Sequence, residues 1–182
     1  MSNLGDVRDI FTDGPVGKIA KSVIGAQARP VRAIGFDKSM EANWALDWHQ
    51  DRTIHVKSKM EVEGFGPWTT KAGMTHVAPP QTLLDQMITL RVHLDDVGAQ
   101  NAPLLVAAGT HRFGRIAESE IDDLVKSAQS LACLADAGDV WVYSTPILHA
   151  SERARAPSRR RVIQVDYAAF DLPGQMSWGL RV

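Results

Sequence analysis

The run MITLRVHLDD, Met87 to Asp96, decides the fold class. Ile88, Leu90, Val92 and Leu94 alternate with Thr89, Arg91, His93 and Asp95, and a period of two is the mark of an extended strand whose side chains point to opposite faces. One face packs, while the other puts polar groups on a core strand, and such a face can line a pocket. On either side, PVRAIGFDK from Pro30, ALDWHQDRTIHVKSK from Ala45, PLLVAAG from Pro103, DVWVYS from Asp139 and RRVIQVDYAA from Arg160 read as further extended runs bounded by Asp, Gly, Asn or Pro. Three stretches read as helices. GPVGKIAKSVIGA from Gly14 spaces Val16, Ile19 and Val23 helically, PPQTLLDQ opens on Pro79 and Pro80, and ESEIDDLVKSAQSLA runs from Glu118 to Ala132 with Ile121, Leu124 and Val125 on one stripe. Strands and helices do not alternate regularly, so the pattern predicts a mainly β fold, a sandwich or jelly roll with a few peripheral helices, and not a doubly wound sheet.

A chain of 182 residues with 45% hydrophobic content is expected to form one domain over residues 1–182. Twenty basic and twenty-one acidic residues leave a net charge of −1, which supplies no global field for nucleic acid or an anionic membrane. Cys133 is the only cysteine, which excludes an internal disulfide and multi-cysteine metal sites, and suits a reducing, cytoplasmic setting. The start, MSNLGDVRDIFTDG, is polar and acidic, unlike a secretory signal, and no run approaches the roughly 20 apolar residues of a membrane span. The partners expected are small molecules, not nucleic acid or membrane, and the oligomeric state is left open.

His49 and Asp51 stand two apart in WHQDRTIHV, and on a strand that spacing projects both from one face. Two histidines and one carboxylate on one side of an octahedral iron leave positions open for a bidentate co-substrate and dioxygen. A second histidine is needed, and pattern does not choose among His55, His76, His93, His111 and His149. The setting of His149 is suggestive, since a strand and turn lead to it and the basic run Ser158 to Arg161 opens the next strand. A cation-rich strand beside a metal suits a dicarboxylate, although such a run is more often a solvated patch.

With these residues in view, the chain resembles the phytanoyl-CoA dioxygenase family of iron(II) and 2-oxoglutarate oxygenases, from about Pro30 to about Tyr167. Trp48-His49-Gln50-Asp51 matches the first metal motif. Leu94-Asp95-Asp96 and Asn101-Ala102-Pro103-Leu104 match the central block, and Ala108-Gly109-Thr110-His111 stands where the family has Pro-Gly-Ser-His. His149, Ser151 and Arg160-Arg161-Val162-Ile163 match the last block, whose spacing selects Arg160 over Arg159 and Arg161. Trp48 to Ile54 and the Gly64 to Trp68 turn are similar to a compact bacterial-type branch.

The resemblance implies a double-stranded β-helix, or cupin-like jelly roll. It implies His49, Asp51 and His149 as iron ligands, with Arg160 and Ser151 on the distal carboxylate of 2-oxoglutarate and O2 as the other co-substrate. It also implies hydroxylation of a small organic molecule with release of succinate and CO2, since halogenating relatives lack the carboxylate that Asp51 supplies. Lys38, Thr89, Arg91, His93 and Asn101 are expected to border the polar interior. Trp44, Trp48, Phe65 and Trp68 are candidates for an aromatic wall, and Gly64 to Gly73 for a lid. His55 is expected to share the interior with the ligands, and His111 to be structural or at the pocket edge. The competing expectations are a metal-binding cupin-like protein working without 2-oxoglutarate and one without catalysis.

Overall fold

The computed structural model describes residues 4–180, with side chains from residue 8 onward. Two helices, α1 (Leu4–Thr12) and α2 (Pro15–Ile24), precede β1 (Arg29–Lys38), β2 (Leu46–His49), β3 (Ile54–His55), β4 (Trp68–Lys71) and β5 (Met74–Val77). A single helical turn, α3 (Gln81–Leu84), leads to β6 (Ile88–His93) and β7 (Leu104–Ala107). Two short 3-10 turns and α4 (Ile121–Ser127) then lead to β8 (Ser130–Cys133), β9 (Val140–Ser144), β10 (His149–Ser151) and β11 (Arg160–Ala168). The strands pair antiparallel in the orders β1-β11-β6-β9 and β2-β10-β7-β8, with a small sheet β3-β5-β4. The fold is mainly β, the jelly roll expected from the sequence. Among the described residues no helix is long and apolar enough to cross a membrane.

The alternation in β6 sorts as read. Ile88 and Leu90, with Val92, pack outward with Val165 and Tyr167 of β11 against Val16 and Ala20 of α2, and complete burial of a side chain such as Leu90 stabilises by about 1.5–3 kcal/mol. Tyr167 donates its hydroxyl proton to the Phe11 carbonyl at 2.9 Å, closing the helical layer onto the sheet. Gly17 is demanded by this layer, because a Cβ there would lie 2.0 Å from the Thr12 carbonyl oxygen. The opposite, inward face is polar. Register sets Lys38 opposite Arg160, Phe36 opposite Val162, Ile34 opposite Gln164 and Arg32 opposite Asp166. Across the other edge of β11, His93 faces Val162, Arg91 faces Gln164 and Thr89 faces Asp166.

Three departures from the sequence reading have local causes. The helix expected to run to Ala132 stops at Ser127, and Ser130–Cys133 becomes β8. That segment pairs with the edge of β7, and backbone pairing plus burial of Cys133 outweighs a helix preference worth tenths of a kcal/mol per residue. The β4–β5 hairpin was not expected; its two-residue turn puts Ala72 and Gly73 at φ of 48° and 76°, and Ala at the first left-handed position hides the usual Asn-Gly signal. The stretch Gly64 to Gly73 is therefore no free lid, since β4 is hydrogen-bonded to β5 and none of these residues lines the central cavity.

Candidate active site

The β2–β10 pairing sets His49 directly opposite His149, bringing their rings to 4.3 Å between centroids. Each ring is oriented by the chain two residues before it. His49 donates Nδ1–H to the Asp47 carbonyl at 2.7 Å and His149 donates Nδ1–H to the Ile147 carbonyl at 2.9 Å. A carbonyl only accepts, so both Nδ1 atoms carry the proton and both Nε2 lone pairs are free. Burial holds His149 below the ordinary histidine range, partly opposed by Asp51, and so favours the neutral ring a metal requires.

Asp51 reaches the same point by another route than the one expected. β2 ends at His49, so the strand alternation that would align the two residues does not extend to Asp51. The intervening Gln50 anchors the turn instead. Its Nε2 donates to the Gly114 and Pro146 carbonyls at 2.8 and 2.7 Å, and its Oε1 accepts from the Ile116 amide at 3.0 Å. Asp51 consequently offers its carboxylate within 4.8 Å of the ligand atoms of both histidines. Burial pushes its pKa upward, but His149, Arg32 and His49 prevail and hold it below the usual carboxylate value. Behind it lies Asp166, pushed up to about 6 by burial and by the charge of Asp51. Arg32 stands between the two acids, 3.9 Å from Asp51 Oδ1 and 3.3 Å from Asp166 Oδ2.

These groups open onto a cavity of about 230 Å³ walled by both sheets, with Ile34, Phe36, Trp44 and Leu104 as its apolar surface. Lys38, Arg91 and Arg160 line it, all nearly inaccessible. Among the described residues none of the three has a carboxylate partner, whereas Arg159 and Arg161, on either side of Arg160, pair outward with Asp37 and Asp95. Arg160 donates to the Ala102 carbonyl and leaves Nε without a partner. Burial, and then Arg91, lower it to about 10. Lys38 donates to the Trp44 carbonyl, Ser151 Oγ and the Glu152 carbonyl at 2.6, 3.1 and 3.1 Å. Burial, then Arg160 and Arg91, lower it to about 8. A pocket that buries three cations, none of them paired with its one lining carboxylate, Asp51, suits an anionic ligand.

Of the residues expected to border the interior, Lys38 and Arg91 line this cavity and Thr89, His93 and Asn101 do not. Thr89 is spent on Asp166 and Thr145, and Asn101 holds Ser158 through two hydrogen bonds. His93 is buried with both ring nitrogens unpartnered, and burial with Arg91 and Arg160 lowers it to about 4. His55 stacks on His76 at 5.4 Å and packs against Gly179, outside the cavity lining. His111 lies in a 3-10 turn, also off the lining. Of the aromatic candidates only Trp44 lines the cavity, with Lys38 4.9 Å from its ring centroid. Trp48 packs with Leu148 and Ile116, and Phe65 and Trp68 pack around Ile54 and Val77. Gln50, Gln164 and Arg32 were missed; the signal for Gln164 was its place two residues from the polar Asp166 on β11.

The family model for phytanoyl-CoA dioxygenase matches residues 7–162. This chain belongs to the phytanoyl-CoA dioxygenase family. Among solved structures it is similar to the carbocyclase SnoK from nogalamycin biosynthesis, described as non-heme and alpha ketoglutarate dependent, with TM-score 0.63 and 17% identity over 89% of this chain and 58% of that one. It is also similar to EctD from S. alaskensis in its apoform, with TM-score 0.61 and 17% identity over 88% of this chain and 55% of EctD. HygX from Streptomyces hygroscopicus, whose structure holds nickel and 2-oxoglutarate, gives TM-score 0.57 and 14% identity over 91% of this chain and 65% of HygX. At such identities the likeness establishes the jelly-roll fold, and this family member spans little more than half the length of SnoK or EctD. No curated protein matches the chain.

Proposed function

We propose that this protein is a non-haem iron(II)- and 2-oxoglutarate-dependent dioxygenase that hydroxylates a small organic molecule. In this reading His49, Asp51 and His149 hold the metal, and Arg160 with Ser151 binds the distal carboxylate of 2-oxoglutarate. The observation that carries it is the pairing of two unlike groups in one cavity: three convergent metal donors beside buried, unpaired cations. The donor set fits a metal, since both imidazoles engage Nδ1 with a backbone carbonyl and leave Nε2 for a ligand beside one carboxylate, and two histidines with one carboxylate suit iron(II) in oxygenases. The cation set fits the co-substrate, since a guanidinium meets a carboxylate with charge-assisted and potentially bidentate hydrogen bonds. Membership of the phytanoyl-CoA dioxygenase family supports both assignments, as does the nickel and 2-oxoglutarate held by HygX.

When bound, iron and 2-oxoglutarate would supply dioxygen activation coupled to oxidative decarboxylation of the co-substrate to succinate and carbon dioxide. The chain's own residues bind and orient. Arg160 and Ser151, the latter held by Lys38, define one end of the cavity. Ile34, Phe36 and Leu104 form walls that exclude water and strengthen each ionic contact there. Asp51 as a third ligand favours hydroxylation over halogenation, which needs that position for a halide.

The test is anaerobic addition of iron(II) and 2-oxoglutarate to the metal-free protein, followed by visible absorption. A weak charge-transfer band is expected from the chelated pair. Iron bound without a band would sink the 2-oxoglutarate reading and leave a cupin-like protein that works without it.

A further inference from the structure

The proposed function employs Arg160, with Lys38 beside it, and leaves Arg91 without a role. Arg91 is 6% exposed and lines the same cavity. Its guanidinium carbon lies 5.1 Å from the centroid of the Phe36 ring, and one arm donates to Gln164 Oε1 at 2.8 Å. Nε is buried without a partner, and no carboxylate pairs with this residue among those described. A buried cation met by a neutral amide and by no carboxylate is poised for an anion that arrives with a ligand.

Its place along the sheet identifies which part of the ligand that is. Arg160 shares a row with Lys38, whereas Arg91 shares one with Gln164, two rows closer to Arg32 and Asp166. Gln164 Nε2 lies 3.4 Å from Asp51 Oδ2. The amide orientation is forced, because a guanidinium only donates and a carboxylate only accepts, so the carbonyl faces Arg91 and the NH2 faces Asp51. The two arginines thus stand at different depths, one remote from the metal donors and one linked to them through a single side chain.

Resting on the reading of this site as a 2-oxoglutarate site, we propose that Arg91 is a second co-substrate anchor. It meets the carboxylate nearer the metal, and Gln164 is the positioning residue that ties this contact to Asp51. A dicarboxylate would then be gripped at both ends by arginines.

The experiment uses protein loaded with Mn(II), and titrates 2-oxoglutarate and 2-oxopentanoate, which keeps the keto-acid end but lacks the distal carboxylate. Arg160→Met should weaken 2-oxoglutarate strongly and leave 2-oxopentanoate within about twofold, whereas Arg91→Met should weaken both by a similar factor of at least about tenfold. Arg91→Lys should recover part of that loss in both ligands, and it carries the same comparison if the Met variant does not fold. Loss confined to 2-oxoglutarate in the Arg91 variants would assign Arg91 to the distal carboxylate and overturn the inference; so would unchanged binding of both ligands. Wild-type protein that binds Mn(II) but neither keto acid would overturn the 2-oxoglutarate reading itself, a distinct result. For the link, Gln164→Leu should lower the factor by which 2-oxoglutarate tightens Mn(II) binding, and an unchanged factor would refute the role of Gln164.

Discussion

One wall of the cavity, from β2 and β10, carries donors whose other needs are already met: His49 and His149 each spend Nδ1 on a backbone carbonyl, and the turn to Asp51 is pinned by Gln50. The facing wall, from β1, β6 and β11, carries Lys38, Arg91 and Arg160, whose charges no carboxylate meets among the described residues. The first wall is pre-organised. The second bears an electrostatic cost until a ligand supplies counter-charge: burial first, and then Arg160 and Arg91, lower Lys38, while burial and then Arg91 lower Arg160. The difference teaches that rigidity serves the proposed metal site, while unsatisfied charge serves the proposed co-substrate site. Stability is given up on one wall for affinity there.

The largest expected effect breaks the first wall. Asp51→Ala should weaken Fe(II) or Mn(II) binding by more than about 100-fold, beyond what loss of an outer-shell partner does, measurable by calorimetry without any substrate. Retained tight binding would remove Asp51 from the ligand set. Next, Arg160→Ala breaks the second wall and should cost about 2–5 kcal/mol in 2-oxoglutarate affinity with metal affinity little changed. Equal losses of metal and co-substrate would mean that the walls are not separable.

Gln50→Ala sharpens the comparison, because it removes pre-organisation without removing a ligand. It should cost about 1–3 kcal/mol of stability by leaving the Gly114 and Pro146 carbonyls and the Ile116 amide unpartnered. Metal affinity should fall by about 10-fold, and a variant that melts like wild type would show that the turn holds itself. The smallest effect is in pH. Lys38 is lowered to about 8 from 10.5, so above that value it is neutral in the empty site and must regain a proton to meet an anion. Affinity for 2-oxoglutarate should therefore fall by up to about tenfold per pH unit above pH 8, and Lys38→Met should flatten that slope. The sign for stability is opposite: the unfolded chain holds this proton more tightly, so the penalty is fully present below pH 8 and is relieved as pH rises toward 10.5.

Much of this was legible before the structure because it depends on short-range periodicity. The alternation from Ile88 to His93 put Thr89, Arg91 and His93 on one face. It could not say which of them reaches the cavity, because that depends on Asp166 and Thr145 capturing Thr89 across the sheet. Arg160 was singled out by motif spacing, and its burial beside the outward-paired Arg159 and Arg161 follows from alternation on β11. The lid expected over Gly64 to Gly73 failed because Gly and Pro density marks turns equally well in a hairpin.

By itself the sequence determined the strand class, the outward apolar face under α2 and the residue types able to hold a metal and an anion, since these follow from side-chain chemistry and a period of two. Only the tertiary structure decided that His149, and not His55 or His76, stands opposite His49, and that Asp51 joins them from a turn held by Gln50. It also decided that three cations share one cavity with no carboxylate paired to any of them among the described residues. Cross-strand register and long-range hydrogen bonds join residues about a hundred positions apart, and no local pattern records which partner each strand will find.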